Sequence, residues 1–289
     1  MKEVRSKMKN VLKTALFRHL VLIIIGIALI YPVIFMIFAS FKDTNEIFTS
    51  TKLFPAVWHL ENYVHGWKSG ATGVVTYTNF FLNTFKMVLP VVAFTVISCT
   101  LAAYGFARFD FPFKKMLFPV LVSTLMLPNT VIIIPRFMLF KNLGWLDSYN
   151  PFLVPAMFAV YPFFIFMIIQ FLRGVPTSLD ESAKIDGCSS LQILVHILAP
   201  LLKPALFSAG LFQFLWTWND FYNQFIFINS PKKFTLSLGL RLSIDASTEA
   251  VKWNEVMAMS LCSIIPLFLL FFCAQKYFVE GIATSGLKG

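Results

Sequence analysis

Six apolar stretches, each about twenty residues long, restrict this 289-residue chain to one broad class of fold. A helix needs about 20 apolar residues to cross a bilayer, and it satisfies its own backbone hydrogen bonds there. Hydrophobic residues make up 57% of the chain and charged residues only 13%, against roughly 25% in soluble domains. The sequence therefore predicts an all-α integral membrane protein with six transmembrane helices. The predicted spans are 19–41, 86–106, 116–137, 152–172, 204–228 and 256–278.

The prolines inside these spans include Pro32, Pro128, Pro162 and Pro266, one in each of four spans. Such prolines are tolerated in membrane helices because neighbouring helices or water satisfy the carbonyl groups that they leave free. They often mark kinks, and we expect breaks at these four positions.

The basic residues predict the orientation of the chain. The amino-terminal arm, residues 1–18, carries six basic residues and one acid, Glu3. With that arm inside the cell, 14 of the 24 Lys and Arg residues lie on inner segments. Cytoplasmic loops are enriched in Lys and Arg, so both termini are expected in the cytoplasm. Because the basic residues are dispersed beside apolar spans, the net charge of +10 does not indicate a nucleic-acid partner.

The sequence lacks the features of an enzyme. It contains no G-x-x-x-x-G-K-[ST] phosphate loop, so the chain alone is not expected to hydrolyse ATP. His19 and His196 have no second ligand or nucleophile in register, and the four cysteines lack the spacing of metal ligands. We therefore expect this chain to bind no metal and no cofactor.

A charged segment between the fourth and fifth spans, residues 176–204, is the most distinctive part of the sequence, and we call it the elbow. Ser178 and Ser189 each stand three residues before Glu or Gln, which predicts two capping boxes and therefore two short helices. Gly187 lies between them and suits the left-handed turn that ends a helix. Pro200 and Pro204 are expected to disturb the second helix.

Small side chains in the elbow favour binding over simple solvation. Charged loops are usually just solvated, but Ser182 and Ala183 would let a partner surface approach closely. Leu179 and Ala183 are four residues apart, so they are predicted to share one docking face of the first short helix. Asp186, beside Gly187, is expected to help fix the turn.

Polar residues cluster near the end of the fifth predicted span. Asp220 stands beside Asn219, Tyr222 and Asn223, and an acid at membrane depth usually faces a cavity or a partner. Two interpretations remain open: these residues line a substrate pathway, or Asp220 holds a helix break or a neighbouring subunit by hydrogen bonds. Trp216 offers an aromatic face on which a substrate ring could stack, although tryptophan is generally enriched at membrane interfaces.

The elbow resembles the EAA loop of bacterial ABC import permeases. It reads Glu181-Ser182-Ala183-x-x-Asp186-Gly187, with Pro200 and Pro204 following, against a family pattern of E-A-A-x-x-D-G and P-L-x-x-P. Ser182 and Cys188 replace alanines of that pattern with other small residues. Segments 103–109, 140–144, 218–221 and 275–289 are similar to the carbohydrate-uptake, MalG-like branch of the family.

This resemblance implies a type I ABC importer fold with a MetI/MalG-like core. It implies as partners a MalF-like second permease, two ATPase subunits that bind ATP and Mg, an extracellular solute-binding protein, a carbohydrate substrate and the lipid bilayer. The residues that it assigns to ATPase coupling are Leu179, Glu181, Ser182, Ala183, Asp186 and Gly187. It assigns a further ATPase contact to the tail residues Gly281, Lys288 and Gly289.

The predicted organisation follows from these observations. A cytoplasmic arm (1–18) precedes the first transmembrane helix (19–41), an extracellular segment (42–78), a permease core (79–278) that contains the elbow, and a cytoplasmic tail (279–289). The chain is expected in a bacterial inner membrane, importing a carbohydrate such as an oligosaccharide. One alternative is an ABC permease for glycerol phosphate, a polyol or a peptide. A secondary transporter is less favoured, because the sequence shows no inverted repeat. A membrane enzyme is less favoured, because the sequence shows no convergent reactive groups.

Overall fold

The computed structural model describes residues 2–69, 75–245 and 251–286, and within these ranges the chain is helical with no strand. The α-helices are α1 (Lys2–Ala39), α2 (Thr44–Thr49), α3 (Glu61–Ser69), α4 (Tyr77–Arg108), α5 (Lys114–Thr124), α6 (Asn129–Asn142), α7 (Asn150–Met157), α8 (Pro162–Arg173), α9 (Ser178–Ile185), α10 (Ser190–Gln192), α11 (Ala199–Leu201), α12 (Lys203–Asn219), α13 (Phe221–Phe227), α14 (Leu236–Asp245) and α15 (Trp253–Gly286). A π-helical turn, Ile193–Leu198, joins α10 to α11, and a 3₁₀ turn, Pro231–Lys233, follows α13.

Six segments of the described chain can account for six membrane spans. Four are long and apolar enough by themselves: Ala15–Ala39, Tyr77–Arg108, Asn150–Arg173 and Trp253–Gln275. Two further spans are bent pairs of helices. The axes of α5 and α6 meet at 105°, and Ser190–Leu201 meets α12 at 82°. With each pair counted as one span, the predicted all-α, six-span membrane fold is confirmed.

Breaks occur at two of the four prolines. The bend between α5 and α6 lies just before Pro128, which caps α6, and α8 begins at Pro162 after a short break. Pro32 and Pro266 lie inside α1 and α15, which continue through them. The breaks predicted at these two positions are wrong, because one proline removes a single backbone hydrogen bond and the rest of a long helix can hold its geometry.

Several span boundaries differ from the predicted ones, and two of the shifts have a clear cause. α4 begins at Tyr77, well before residue 86, because the polar residues there are satisfied within the protein. Asn83, for example, donates hydrogen bonds from Nδ2 to the carbonyl oxygens of Lys232 (2.8 Å) and Phe234 (3.0 Å). The fifth span ends at Asn219, not at residue 228, because the chain breaks its helix at Asp220 and starts α13.

Buried side chains form two clusters that follow each other along α4. The far cluster joins the first half of α4 to α6, α7, the end of α12 and α13–α15. The elbow-side cluster joins the second half of α4 to α8, the elbow and α12. The members of the elbow-side cluster are Cys99, Ala103, Tyr104, Phe164, Ile165, Ile168, Ile169, Leu172, Ala183, Ile193, Leu194, Leu198, Leu202 and Ala209.

A carboxylate holds two loops together at the far end of the helices. Asp147 accepts hydrogen bonds from the backbone N–H groups of Asn229 (3.0 Å) and Ser230 (2.8 Å), from Ser230 Oγ (2.6 Å) and from Lys233 Nζ (2.9 Å). Partial burial acts to raise the pKa of Asp147, but the hydrogen bonds outweigh it and hold the pKa well below its ordinary value. The carboxylate is therefore charged at neutral pH and ties the α6–α7 loop to the segment after α13.

The first helix lies outside both buried clusters. None of the most apolar window of α1 is buried within the protein, so this surface is suited to contact lipid. The segment after α1 is tied to α15 by a short polar chain. Thr44 Oγ1 donates to Asn254 Oδ1 (2.6 Å), and Asn254 Nδ2 donates to Asn62 Oδ1 (2.8 Å).

Candidate functional site

The elbow folds as helix, glycine turn and helix, as predicted. Gly187 has φ +84°, the left-handed conformation that glycine adopts without a steric penalty. The N–H of Cys188 bonds to the carbonyl of Ala183 (2.9 Å), and the N–H of Gly187 bonds to the carbonyl of Lys184 (3.0 Å). This pair of bonds is the Schellman arrangement that closes a helix end. It terminates α9 and turns the chain toward α10.

One of the two predicted capping boxes is present. Ser189 Oγ accepts from the N–H of Gln192 (3.4 Å), and Gln192 Oε1 accepts from the N–H of Ser189 (2.7 Å). The box predicted at Ser178 is wrong. The preceding residue, Thr177, is already in the right-handed helical region, so Ser178 lies inside the helix and cannot act as its cap. Glu181 is exposed and does not cap α9.

The elbow exposes apolar side chains to its surroundings. Ile185 is 87% exposed and Leu191 is 62% exposed, on either side of the glycine turn. Both side chains are available to contact a partner surface. The sequence reasoning missed both residues, although isolated apolar residues on short polar helices were the available signal. Glu181, Ser182, Asp186 and Gly187 are also exposed.

The predicted docking face of α9 requires a correction. Leu179 is 41% exposed, but Ala183 is only 4% exposed and belongs to the elbow-side cluster. Residues four apart lie on the same side of a helix. At Ala183, this side of α9 faces the elbow-side cluster. Ala183 therefore packs the elbow against its own chain and does not lie on the exposed surface.

A buried ion pair attaches the elbow to the end of α4. Arg108 Nε lies 2.8 Å from Asp180 Oδ2, and the two side chains are 8% and 9% exposed. The pair is an ion pair by distance, but its N–H is not aimed along a hydrogen bond to the carboxylate. Arg108 also donates from Nη2 to the carbonyl of Val175 (2.8 Å), just before α9.

Tyr104, one turn earlier on α4, contacts the other half of the elbow. Its hydroxyl donates to the carbonyl of Ser190 (3.1 Å), at the start of α10. The last turns of α4 therefore hold the elbow before α9, within α9 and at the start of α10. The sequence reasoning missed Tyr104, Arg108 and Asp180, because their partners are more than 65 residues away along the chain for each contact.

A second polar site lies at the end of α12. The carboxylate of Asp220 caps α13, accepting from the backbone N–H of Asn223 (3.1 Å) and from its Nδ2 (2.9 Å to each oxygen). Arg136 of α6 donates from Nη2 to the side-chain oxygens of Asn223 and Asn129. Its guanidinium carbon also lies 5.7 Å from the centre of the Phe227 ring. The sequence reasoning missed Arg136, a cation within a bent span.

The other predicted pathway residues have more varied environments. Asn219 is exposed, and its Nδ2 donates to the carbonyl of Leu215 (2.8 Å) on its own helix. Tyr222 is about half exposed. Trp216 packs against Phe163 and Phe164 of α8, with ring centres 5.2 and 5.0 Å away. The structure therefore brings Asp220 and Asn223 together with Arg136, and places Trp216 on the aromatic side chains of α8.

Of the three predicted tail contacts, Gly281 lies within α15. Lys288 and Gly289 lie outside the described residues.

Comparison with known proteins identifies the family. Residues 95–284 match the family model described as the inner membrane component of binding-protein-dependent transport systems. The arabinooligosaccharides transport system permease protein AraQ of Bacillus subtilis is 30% identical over 90% of this chain and 91% of its own length. The sn-glycerol-3-phosphate transport system permease protein UgpE of Yersinia pestis is 29% identical over 93% of this chain and 96% of its own length.

A solved structure confirms the fold. A chain from the crystal structure of a bacterial ABC transporter involved in import of the acidic polysaccharide alginate superposes with a TM-score of 0.81 and 21% identity, covering 91% of this chain and 96% of that one. The matched relatives are permease subunits of membrane transport systems and not enzymes. This chain is a multi-pass membrane protein that belongs to the family of binding-protein-dependent transport system inner membrane components, the permeases of ABC importers.

Proposed function

We propose that this chain forms half of the translocation pathway of a carbohydrate importer and that its elbow receives the ATPase subunit. The observation that carries the proposal is the exposure of Ile185 and Leu191 on a polar elbow that is fixed to α4 by a buried ion pair. Exposed apolar side chains beside a fixed turn are suited to contact a partner surface. Because the elbow is attached rigidly to α4, a movement of the partner would also displace that membrane span.

The proposed assembly contains three further kinds of protein. A second, MalF-like permease completes the pathway, two ATPase subunits bind ATP and Mg, and a solute-binding protein delivers the sugar from outside. Leu179, Glu181, Ser182, Asp186 and Gly187 are proposed as the coupling surface. Ala183 is proposed to support that surface from within, because it is buried behind it. Gly281, Lys288 and Gly289 remain proposed tail contacts to the ATPase.

The proposed substrate is an oligosaccharide. A relative of this chain is named as an arabinooligosaccharide permease, which supports that substrate class. Another relative is named for glycerol 3-phosphate, which supports the alternative. Asn219, Asp220, Tyr222 and Asn223, with Trp216, are the proposed polar and aromatic lining. Arg136 is added to this lining because it shares hydrogen bonds with Asn223.

The proposed orientation has both termini and the elbow in the cytoplasm of a bacterial cell. It rests on the distribution of basic residues, most of which lie on the inner segments. We expect an impermeant thiol reagent added to intact cells to label Ser148→Cys and to leave Ser178→Cys unlabelled. The opposite pattern would invert the topology.

Transport by the assembled importer tests the substrate class. We expect proteoliposomes with both permeases, the ATPase and the binding protein to take up an oligosaccharide only when ATP is hydrolysed. An ionophore that abolishes ion gradients should leave this uptake unchanged, because ATP hydrolysis drives it. A secondary transporter that depends on an ion gradient would lose its uptake. Uptake of glycerol phosphate in place of oligosaccharide would support the alternative substrate.

Two substitutions at Gly187 separate backbone strain from crowding. A Cβ at this position would meet no atom within 4 Å, so only the left-handed backbone disfavours a side chain. Asparagine tolerates that conformation far better than valine does. We therefore expect Gly187→Val to lower substrate-stimulated ATP hydrolysis several-fold and Gly187→Asn to remain close to the wild type. Equal activity of the two variants would contradict a coupling role for this turn.

The Arg108–Asp180 pair is open to a double-mutant test. Removing one member leaves a buried charge without its partner, which costs about 3–5 kcal/mol, whereas apolar replacement of both avoids that cost. We expect Arg108→Met and Asp180→Leu each to lower the melting temperature of the complex and the combined variant to recover much of it. In a background without Cys188, Cys262 and Cys273, a thiol-reactive dye that reports exposure of the fully buried Cys99 measures the transition.

A matched control uses the pair Lys114–Asp110. Its atoms are 3.3 Å apart and its aspartate is fully exposed, so Lys114→Met should change the melting temperature little. Single variants of Arg108 and Asp180 that melt like the wild type would show that the buried pair does not hold the elbow.

A further inference from the structure

A basic and aromatic cavity lies beside the short turn between α4 and α5. Its volume is about 630 Å³, and it is lined by Phe106, Phe113, Phe118, Lys114, Lys115 and Arg173, with other residues. The basic side chains come from the start of α5 and the end of α8, one acid, Asp110, comes from the turn before α5, and aromatic side chains surround them. The elbow begins just after Arg173, so the cavity lies at the elbow end of two spans.

The cavity carries positive charge that the chain does not neutralise. Lys114 is occupied, because its Nζ donates to the carbonyl of Phe109 (2.7 Å) and to Asp110 Oδ1 (3.3 Å). The guanidinium of Arg173 lies over the Phe118 ring, with its carbon 5.2 Å from the ring centre. Among the described residues, neither Lys115 nor Arg173 forms an ion pair with a carboxylate. Both are exposed and free to bind an anion.

An apolar groove continues from this cavity along α5. It has a volume of about 530 Å³ and shares Phe106 with the basic cavity. Its walls include Leu117, Val120, Leu121 and Leu127. The sharp bend between α5 and α6 leaves α5 without a buried residue. From Lys115 to Thr124 the helix rises about 14 Å, enough to accompany a large part of an acyl chain.

We propose that this composite site binds an anionic phospholipid, with its phosphate between Lys115 and Arg173 and one acyl chain in the groove along α5. Basic pockets between membrane helices are suited to anionic headgroups. The groove favours a lipid over a free anion, because a soluble phosphate has no acyl chain that could contact the apolar surface beside its binding site. The assignment of this site to the inner leaflet depends on the proposed orientation of the chain. The binding of the lipid itself does not depend on that orientation.

The test measures lipid binding to the assembled transporter in detergent by native mass spectrometry, with phosphatidylglycerol as the probe and phosphatidylcholine as the neutral comparison. We expect phosphatidylglycerol to bind in preference to phosphatidylcholine. Lys115→Gln with Arg173→Gln should weaken its apparent affinity about tenfold or more, since charge-assisted hydrogen bonds to a phosphate are lost. The matched control, Lys141→Gln with Lys232→Gln, removes the same charge from exposed residues outside the site and should change little.

Two further sets of measurements distinguish a phospholipid from a free anion and from a partner subunit as the molecule that occupies this site. Inorganic phosphate and glycerophosphoglycerol, which lacks acyl chains, should compete poorly, and Val120→Trp should weaken binding by filling the groove while both cations remain. Effective competition by the chain-free anions, or binding that is unaffected by Lys115→Gln with Arg173→Gln or by Val120→Trp, would overturn the lipid site. Binding to the separate chain that disappears on assembly would also overturn it and identify this face as a subunit contact.

These readouts are independent of transport. Loss of lipid binding would leave ATP-driven sugar uptake as the test of the proposed function. Failure of sugar uptake would leave the lipid-binding result unchanged.

Discussion

The ion pair between Arg108 and Asp180 determines how the elbow relates to the membrane domain. Both side chains are almost entirely buried, and they join the last turn of α4 to a helix that lies outside the spans. A buried pair of this kind adds little net stability compared with apolar residues, but losing one partner is costly. The pair therefore disfavours any arrangement in which α9 separates from α4, and the elbow has one defined position.

The neighbouring contacts make the elbow part of a larger rigid unit. Tyr104 holds the start of α10, and Arg108 also holds the segment before α9. Ala183 and Ile193 place apolar side chains from both halves of the elbow in the same cluster as α4 and α8. Movement that a partner imposes on the elbow would therefore displace two spans together. Close-packed interiors transmit displacement in this way because they contain few voids and are not easily compressed.

The sequence was sufficient where the determining interaction is local. The turn at Gly187 and the capping box at Ser189 depend on residues within a few positions, and both were predicted. Local reasoning failed at Ser178, because the conformation of the preceding residue starts the helix earlier. It also failed at Pro32 and Pro266, where the surrounding helix is long enough to continue through a proline.

Contacts across long separations could not be predicted in the same way. Nothing near Arg108 in the sequence indicates Asp180, and nothing near Asn223 indicates Arg136, because the packing of spans brings each pair together. Asp220 shows the intermediate case. Its presence at the end of a span was noted, but only the structure shows that it caps α13 through Asn223. A cap does not exclude a pathway role, since the same cluster includes a cation from α6.

The most direct test of the account is the distance between the end of α4 and the elbow during the ATP cycle. Spin labels at Phe109→Cys and Lys184→Cys, in a background without the four native cysteines, report that distance in the assembled transporter. We expect the same narrow distance distribution in the nucleotide-free and the vanadate-trapped states, because the ion pair and its neighbours keep the two parts together. A clear shift or broadening between the two states would show that the elbow moves independently of α4 and would contradict the account.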